Sequence, residues 1–263
     1  QTVAARFAGS PLPAAKLPHN PGGRAWRLGV ERLVPAGAFV GRMQEQNAFA
    51  AALEACRTAH RGQAYLLRGD AGIGKSRLLE EVEVIAKDHG FATHKVLVLE
   101  FGTELDQDAL RALVKSLLGV SLASPADALR AAAEQALEGG LVALDQRGFL
   151  HDLLGLPMSA PFKTAYDAMD EGAREACKRA TVTQLVESMS AERPLLIGCE
   201  DIHWADAQTL AQLAGIAQAV ARCAALLVMT TRSDAEPLDA TWRGALHGAP
   251  LTTLRTRPRP RPP

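Results

Sequence analysis

Apolar and polar positions along this chain follow two rhythms, one of helices and one of short buried strands. From Met43 to His60 the spacing predicts a helix, and Ala64-Tyr65-Leu66-Leu67-Arg68 predicts a strand that runs straight into a glycine-rich turn. A second helix is predicted from Lys75, with Leu78, Val82 and Ile85 on one face at spacings of four and three. Three further apolar runs predict strands. They are Lys95 to Leu99, within His94 to Glu100; Leu195 to Cys199, closed by Glu200-Asp201; and Ala225 to Thr230. Between the last two, Leu210, Leu213, Ala217 and Val220 mark an amphipathic helix. The stretch from about residue 105 to 192 is helix-rich, on the evidence of Leu110, Leu113, Val114, Leu117, Leu185, Val186 and Met189, and reads as a helical insertion. Buried strands alternating with helices predict an α/β fold: a mostly parallel sheet with helices on both faces.

The flanks break this rhythm. Residues 1–37 are rich in proline and glycine (Pro11, Pro13, Pro18, Pro21, Pro35) and read as a linker, with Ala25-Trp26-Arg27-Leu28 as a strand end. The domain is expected over residues 38–254. Residues 255–263 alternate arginine with proline and are expected to be a disordered tail, solvated rather than bound to nucleic acid or to a proline-reading domain. The first residue is Gln1 rather than Met, which reads as a fragment or a processed chain.

Composition narrows the function classes. The 263 residues, 48% of them hydrophobic, are enough for a sizeable core. Lys plus Arg and Asp plus Glu number 29 each, so no net field draws the chain to nucleic acid or to an anionic membrane. Cys56, Cys177, Cys199 and Cys223 are widely spaced and have no metal-like pattern, as expected of reduced thiols in a cytoplasmic protein without disulfides or zinc. No apolar run approaches membrane-spanning length, and no membrane partner is expected.

The candidate chemistry lies in the glycine-rich turn. Gly69-Asp70-Ala71-Gly72-Ile73-Gly74-Lys75-Ser76 matches G-x-x-x-x-G-K-[ST], which arises by chance in roughly 1% of chains this long at average residue frequencies. Glycines let the backbone curl so that successive N–H groups meet phosphate oxygens at the positive end of the following helix. Lys75 is expected to reach the β- and γ-phosphates and the Ser76 hydroxyl to ligate Mg2+, with Arg77 counted in the nucleotide-contacting set. The turn follows a predicted strand and opens a predicted helix, the context a P-loop for ATP or another purine nucleoside triphosphate requires.

An apolar strand ending in two acids is by itself common at solvated turns, but beside a P-loop it reads as a Walker B pattern. Glu200 is the expected metal ligand and Asp201 the residue that orients or deprotonates the attacking water. Many P-loop proteins place Asp first, so the division of labour between the two acids stays open. Thr231 and Arg232, at the tip of the fourth strand, are candidates to sense the γ-phosphate or neutralise charge during transfer, against the alternative of an ordinary polar loop.

Phe39-Val40-Gly41-Arg42, the P-loop, Glu200-Asp201-Ile202-His203-Trp204-Ala205-Asp206 and Thr230-Thr231-Arg232 together resemble the signal-transduction ATPases with numerous domains, the STAND branch of AAA-like P-loop NTPases. The likeness extends over about residues 38 to 251, including Phe149 to Pro157 and Tyr166 to Asp170. It is similar, more narrowly, to bacterial regulators that join this ATPase to an adenylate/guanylate cyclase or a LuxR-type DNA-binding domain. The resemblance implies Val40, Gly41 and Arg42 beside the adenine and hinge. It implies ATP and Mg2+ as cofactors, and a slow ATPase acting as a nucleotide switch for a fused or associated output domain. The alternative is a self-associating nucleotide-binding and assembly module with negligible turnover. Nucleic acid would be bound only through a further domain. Leu12-Pro13 through Leu28 resembles the closing segment of a cyclase whose core is absent here, and the Arg-Pro tail departs from the helical continuation expected, as truncation or a shifted reading frame would produce. His203, Trp204 and Asp206 have no assigned role beyond lining the site. A transporter ATPase is disfavoured by the lack of an L-S-G-G-Q signature, and a small-molecule kinase by the lack of a nameable acceptor motif.

Overall fold

The computed structural model describes residues 42–99 and 109–256. Expectations for residues 1–41, including Val40 and Gly41, for 100–108 and for 257–263 therefore lie outside the described residues.

Five parallel strands form one sheet: β1 (Ala64–Gly69), β2 (Ala92–Leu97), β3 (Leu195–Glu200), β4 (Ala225–Arg232) and β5 (Leu251–Arg255), in the order β2-β3-β4-β1-β5. Parallel strands need crossovers, and helices supply them on both faces. One face carries α1 (Met43–Ala59) and α2 (Lys75–Asp88). Phe49, Leu53, Leu78, Leu79 and Val82 pack there against Tyr65, Leu67, Leu196, Leu226 and Val228. Gly198 of β3 lets α2 approach closely, since a Cβ there would stand 3.1 Å from a Leu79 methyl.

The opposite face is covered by the helical insertion: α3 (Ala109–Leu117), α4 (Ala126–Glu138), α5 (Arg147–Leu154), α6 (Ala160–Asp167) and α7 (Glu171–Glu192). It is completed by α8 (Ala207–Val220) and α9 (Ala240–Gly244). Leu113, Leu150, Leu185, Val186, Ile216 and Val220 close this side over Leu66, Ile197, Leu227 and Met229. Neighbouring residues of β1 thus serve opposite layers, which is why Ala64 to Leu67 are all apolar and all buried. Among the described residues no helix is long and apolar enough to cross a membrane.

Two sequence-based boundaries move. The second strand begins at Ala92, earlier than the Lys95–Leu99 run predicted, because pairing with β3 starts at Ala92 opposite Leu195. As an edge strand β2 needs little apolar surface: Val96 and Val98 are buried, whereas Leu97 and Leu99 stay 47% and 38% exposed. The expected tail loses its first two members. Arg255 ends β5, and Thr256 is buried with its N–H donating to the Arg68 carbonyl at 2.8 Å. Backbone pairing with β1 holds this segment, and side-chain periodicity gave no sign of it.

Candidate functional site

Gly69 ends β1 and the chain turns through Asp70-Ala71-Gly72-Ile73-Gly74 into α2. Gly72 and Gly74 have φ of 74° and 92°, a left-handed region where a Cβ would be strained. Gly74 immediately precedes Lys75, so the open N-terminal end of α2 adjoins the turn. Two cations hold the loop's carbonyls. Lys75 Nζ donates to the Gly69 and Asp70 carbonyls at 2.9 and 3.0 Å, and the guanidinium of Arg42, 5% exposed, donates to the Ile73 carbonyl at 2.6 Å. With these oxygens engaged, the loop is left to offer N–H groups to an anion. Burial lowers the proton affinity of Lys75, Asp201 opposes the shift, and Arg232 adds to it. Lys75 beside Gly69 of β1, Asp201 just after β3 and Arg232 at the end of β4, in register with Gly69, thus share a crevice side, the C-terminal edge of the sheet.

Asp201 follows β3 in a left-handed conformation, φ 57°, with its backbone N–H donating to Thr230 Oγ1 at 3.0 Å. Its carboxylate is 37% exposed and lies 3.9 Å from Nδ1 of His203, which stands on the short 3-10 turn Ile202–Trp204. Glu200 is turned elsewhere. It is 8% exposed and ion-paired at 3.1 Å with Lys95 of β2, whose ammonium is also 3.7 Å from Glu83 of α2. Burial opposes the charge on Lys95, but the two carboxylates outweigh it and leave its pKa raised; Glu83, more buried than compensated, has its carboxyl raised.

Arg232 lies in register with Gly69, beside the P-loop, and its guanidinium makes a two-point pair with Asp234 at 3.1 and 3.0 Å. Thr231 is fully buried within β4 rather than in a loop, and its Oγ1 has no hydrogen-bond partner among the described residues. Ser76 is exposed in the first turn of α2, and Arg77 pairs along that helix with Glu81 and Glu80 at 2.6 and 3.4 Å. Asp206 caps α8, accepting from the Thr209 N–H at 2.7 Å, and Trp204 is 40% exposed against the His203 ring. Asp206 thus has an architectural task that the motif did not reveal.

Several neighbours escaped the sequence reading. Lys95 reads only as the start of a strand and not as the partner of Glu200, Thr230 only as the end of another and not as the acceptor for the Asp201 N–H, and Ser233, which donates to the Asp70 carboxylate and whose carbonyl accepts from Arg68, has no motif. Only the twofold alternation of β4 could have signalled that Thr230 and Thr231 face opposite sides.

Among the described residues no three His, Cys, Asp or Glu side chains cluster in a way that would hold a metal by themselves. A hydroxyl at the helix start with one or two nearby carboxylates suits Mg2+ that is bound largely by phosphate oxygens and water. A separate groove of about 630 Å3 opens between α7, α8 and α9, lined by Leu210, Gly215 and Trp242, and includes no P-loop residue.

Residues 38–229 match the profile of the AAA ATPase domain, and the chain belongs to that family. The strand order, the P-loop after β1 and the acids after β3 accord with an α/β P-loop NTPase that binds nucleotide. An uncharacterized protein of Rhizobium meliloti (strain 1021) is 27% identical over 256 residues, which are 89% of this chain and 23% of that protein. Among solved structures, Cdc6p from Pyrobaculum aerophilum is 14% identical at a TM-score of 0.47, over 86% of this chain and 48% of that one. The Aeropyrum pernix ORC1 protein in complex with DNA is 17% identical at 0.41, over 83% and 46%. The chain thus spans about a quarter of its curated relative and about half of these solved chains.

Proposed function

We propose that this chain is an ATP-binding, slowly ATP-hydrolysing P-loop domain of the STAND type, acting as a nucleotide switch for attached domains. The observation that carries the proposal is the glycine turn after β1, whose Lys75 lies against the Gly69 and Asp70 carbonyls, with Asp201 at the end of β3 and Arg232 at the end of β4 on the same edge of the sheet. The loop from Gly69 to Ser76 cradles the phosphates, and Lys75 exchanges its two backbone carbonyls for β- and γ-phosphate oxygens. Ser76, and Glu200 once released from Lys95, would hold Mg2+, which would shield phosphate charge. Asp201 accepts a proton from water as the water oxygen bonds to the γ-phosphorus, and the bond to the β–γ bridging oxygen breaks with its electron pair leaving on ADP. Arg232 and Thr231 face the transferring group. Arg42 secures the far side of the loop through Ile73, and the resemblance implies a role beside the adenine for Val40 and Gly41, which lie outside the described residues.

The fused output domain, of cyclase or LuxR type, rests on the resemblance around Glu200 to Asp206; the greater length of the curated relative is in keeping with it. Two contacts favour the second reading, a self-associating nucleotide-binding module with negligible turnover. Glu200 is already paired with Lys95 and Arg232 with Asp234, so both must rearrange before they assist hydrolysis. Mass-spectrometric identification of nucleotide retained by the purified chain, followed by a turnover assay, separates the readings. Retained ADP with slow turnover is the expected result. Bound nucleotide without turnover supports the assembly module, and no affinity for ATP or ADP at millimolar concentration refutes both.

A further inference from the structure

His203 is held in place more firmly than a crevice-lining residue requires. The chain reverses at Asp201, with φ of 57°, and the 3-10 turn that follows is closed by the Trp204 N–H donating to the Asp201 carbonyl at 3.1 Å. Ile202 plugs this turn into the core with no exposed surface. The imidazole is then fixed on two sides. The Trp204 ring lies 4.8 Å from it, and the backbone of the turn returns Nδ1 toward the carboxylate of the residue where the turn began.

The side chain is only 9% exposed, and Nδ1 is buried without a hydrogen-bond partner among the described residues. A buried imidazole nitrogen with nothing to bond is costly, and such groups are rare unless a partner arrives. The nearest acceptor is Asp201 Oδ1, 3.9 Å away, about 1 Å beyond hydrogen-bonding distance. The charges bearing on His203 are those of the same crevice: Asp201, Arg232, Lys75 and Asp234. Burial, with help from Arg232 and Lys75 and against the pull of Asp201, lowers the proton affinity of the ring and so favours the neutral form, in which one nitrogen donates and the other accepts.

We infer that His203 is the positioning residue for Asp201: its Nδ1–H closes onto Oδ1 when nucleotide fills the crevice and leaves the second carboxylate oxygen aimed at the attacking water. The inference rests on the hydrolytic reading of the site. It assigns to His203 no contact with nucleotide. A base oriented by a third group is a recurrent arrangement, and Asp201, otherwise unpaired with any cation within salt-bridge distance among the described residues, needs such a partner. Trp204 contributes by packing its ring at a tilt of 39° against the imidazole, which restricts rotation of the ring.

The test compares His203→Leu, which removes the donor, with His203→Asn, whose amide nitrogen occupies the place of Nδ1. ADP affinity by calorimetry and KM for ATP should stay within about twofold in both. In His203→Leu, kcat and the affinity for ADP with aluminium fluoride, a mimic of the transferring phosphoryl group, should fall about 10- to 100-fold, the usual effect of removing a group that orients a functional side chain. His203→Asn should recover most of that loss. In an Asp201→Asn background, His203→Leu should cause no further loss of aluminium fluoride affinity, because the two residues act as one unit. If the leucine variant does not fold, His203→Gln replaces it, since its amide reaches one bond past the Nδ1 position. Wild-type kcat in the leucine variant, equal loss in the leucine and asparagine variants, or full additivity with Asp201→Asn would each overturn the assignment. A wild-type chain that binds ADP but shows neither turnover nor a preference for the aluminium fluoride complex overturns the hydrolytic reading itself, and the role of His203 with it.

Discussion

Gly69 is the residue where the P-loop meets the far end of the chain, and replacing it with alanine tests that junction. A Cβ at Gly69 would lie 1.9 Å from Thr256 Oγ1, 3.0 Å from a methyl of Ile73 and 3.2 Å from Thr256 Cβ. Rotating the threonine clears its hydroxyl but not its Cβ, and it breaks the bond that Oγ1 donates to the Arg68 carbonyl at 3.1 Å. The lost hydrogen bond costs about 1 kcal/mol and the overpacking about 1–3 kcal/mol, against a gain of about 0.5–1 kcal/mol from replacing glycine inside a strand. The net cost is about 2 kcal/mol, or a fall in Tm of roughly 4–8 °C for a domain of this size, read by thermal or urea unfolding. Thr256→Ala alone should cost about 1 kcal/mol, and the double variant should be more stable than the sum of the two by at least about 1 kcal/mol. Unfolding unchanged by Gly69→Ala, or strict additivity of the pair, would show that Thr256 does not cover the base of the loop.

Lys75→Ala should weaken ATP binding roughly 10- to 100-fold, the worth of one hydrogen bond to a charged group, and unchanged affinity by calorimetry would remove the P-loop lysine from the site. Asp201→Asn should hold ATP as before while turnover slows about 10^2- to 10^4-fold; a wild-type rate in that variant rejects Asp201 as the base. Asp206→Ala should lower stability by about 1 kcal/mol through loss of the α8 cap while leaving nucleotide affinity intact, a separation that calorimetry and denaturant titration can check. His94, hydrogen-bonded to Ser116 at 2.9 Å, has its pKa lowered by burial from 6.5 to about 4. The folded state therefore disfavours the extra proton: the contribution is intact above pH 6.5 and is lost as pH falls toward 4, reaching about 3 kcal/mol by pH 4. Replacing it in His94→Gln should flatten the urea midpoint across that window; an unchanged slope would assign the acid sensitivity elsewhere.

Much of this architecture was legible in the residues. Three strands, β1, β3 and β4, and the helix after the P-loop announced themselves because each of these strands is buried on both faces, which demands unbroken apolar runs such as Leu195 to Ile197; the edge strand β2 showed itself only through its apolar end. The glycines at 72 and 74 were readable because a left-handed backbone admits few other residues. β5 was not readable. Leu251-Thr252-Thr253-Leu254-Arg255 is a half-exposed edge strand held by backbone pairing to β1, and local sequence carries no record of that partner. The acids followed the same division. Their place at the end of a buried strand was a matter of local pattern, but their orientation was not. Glu200 turns to Lys95, a residue distant in sequence that register brings alongside, while Asp201 turns into the crevice with His203 and Lys75. Periodicity and glycine chemistry are local and so survive in a string of letters. Which carboxylate meets which cation depends on strand order and sidedness, and those exist only once the sheet is assembled.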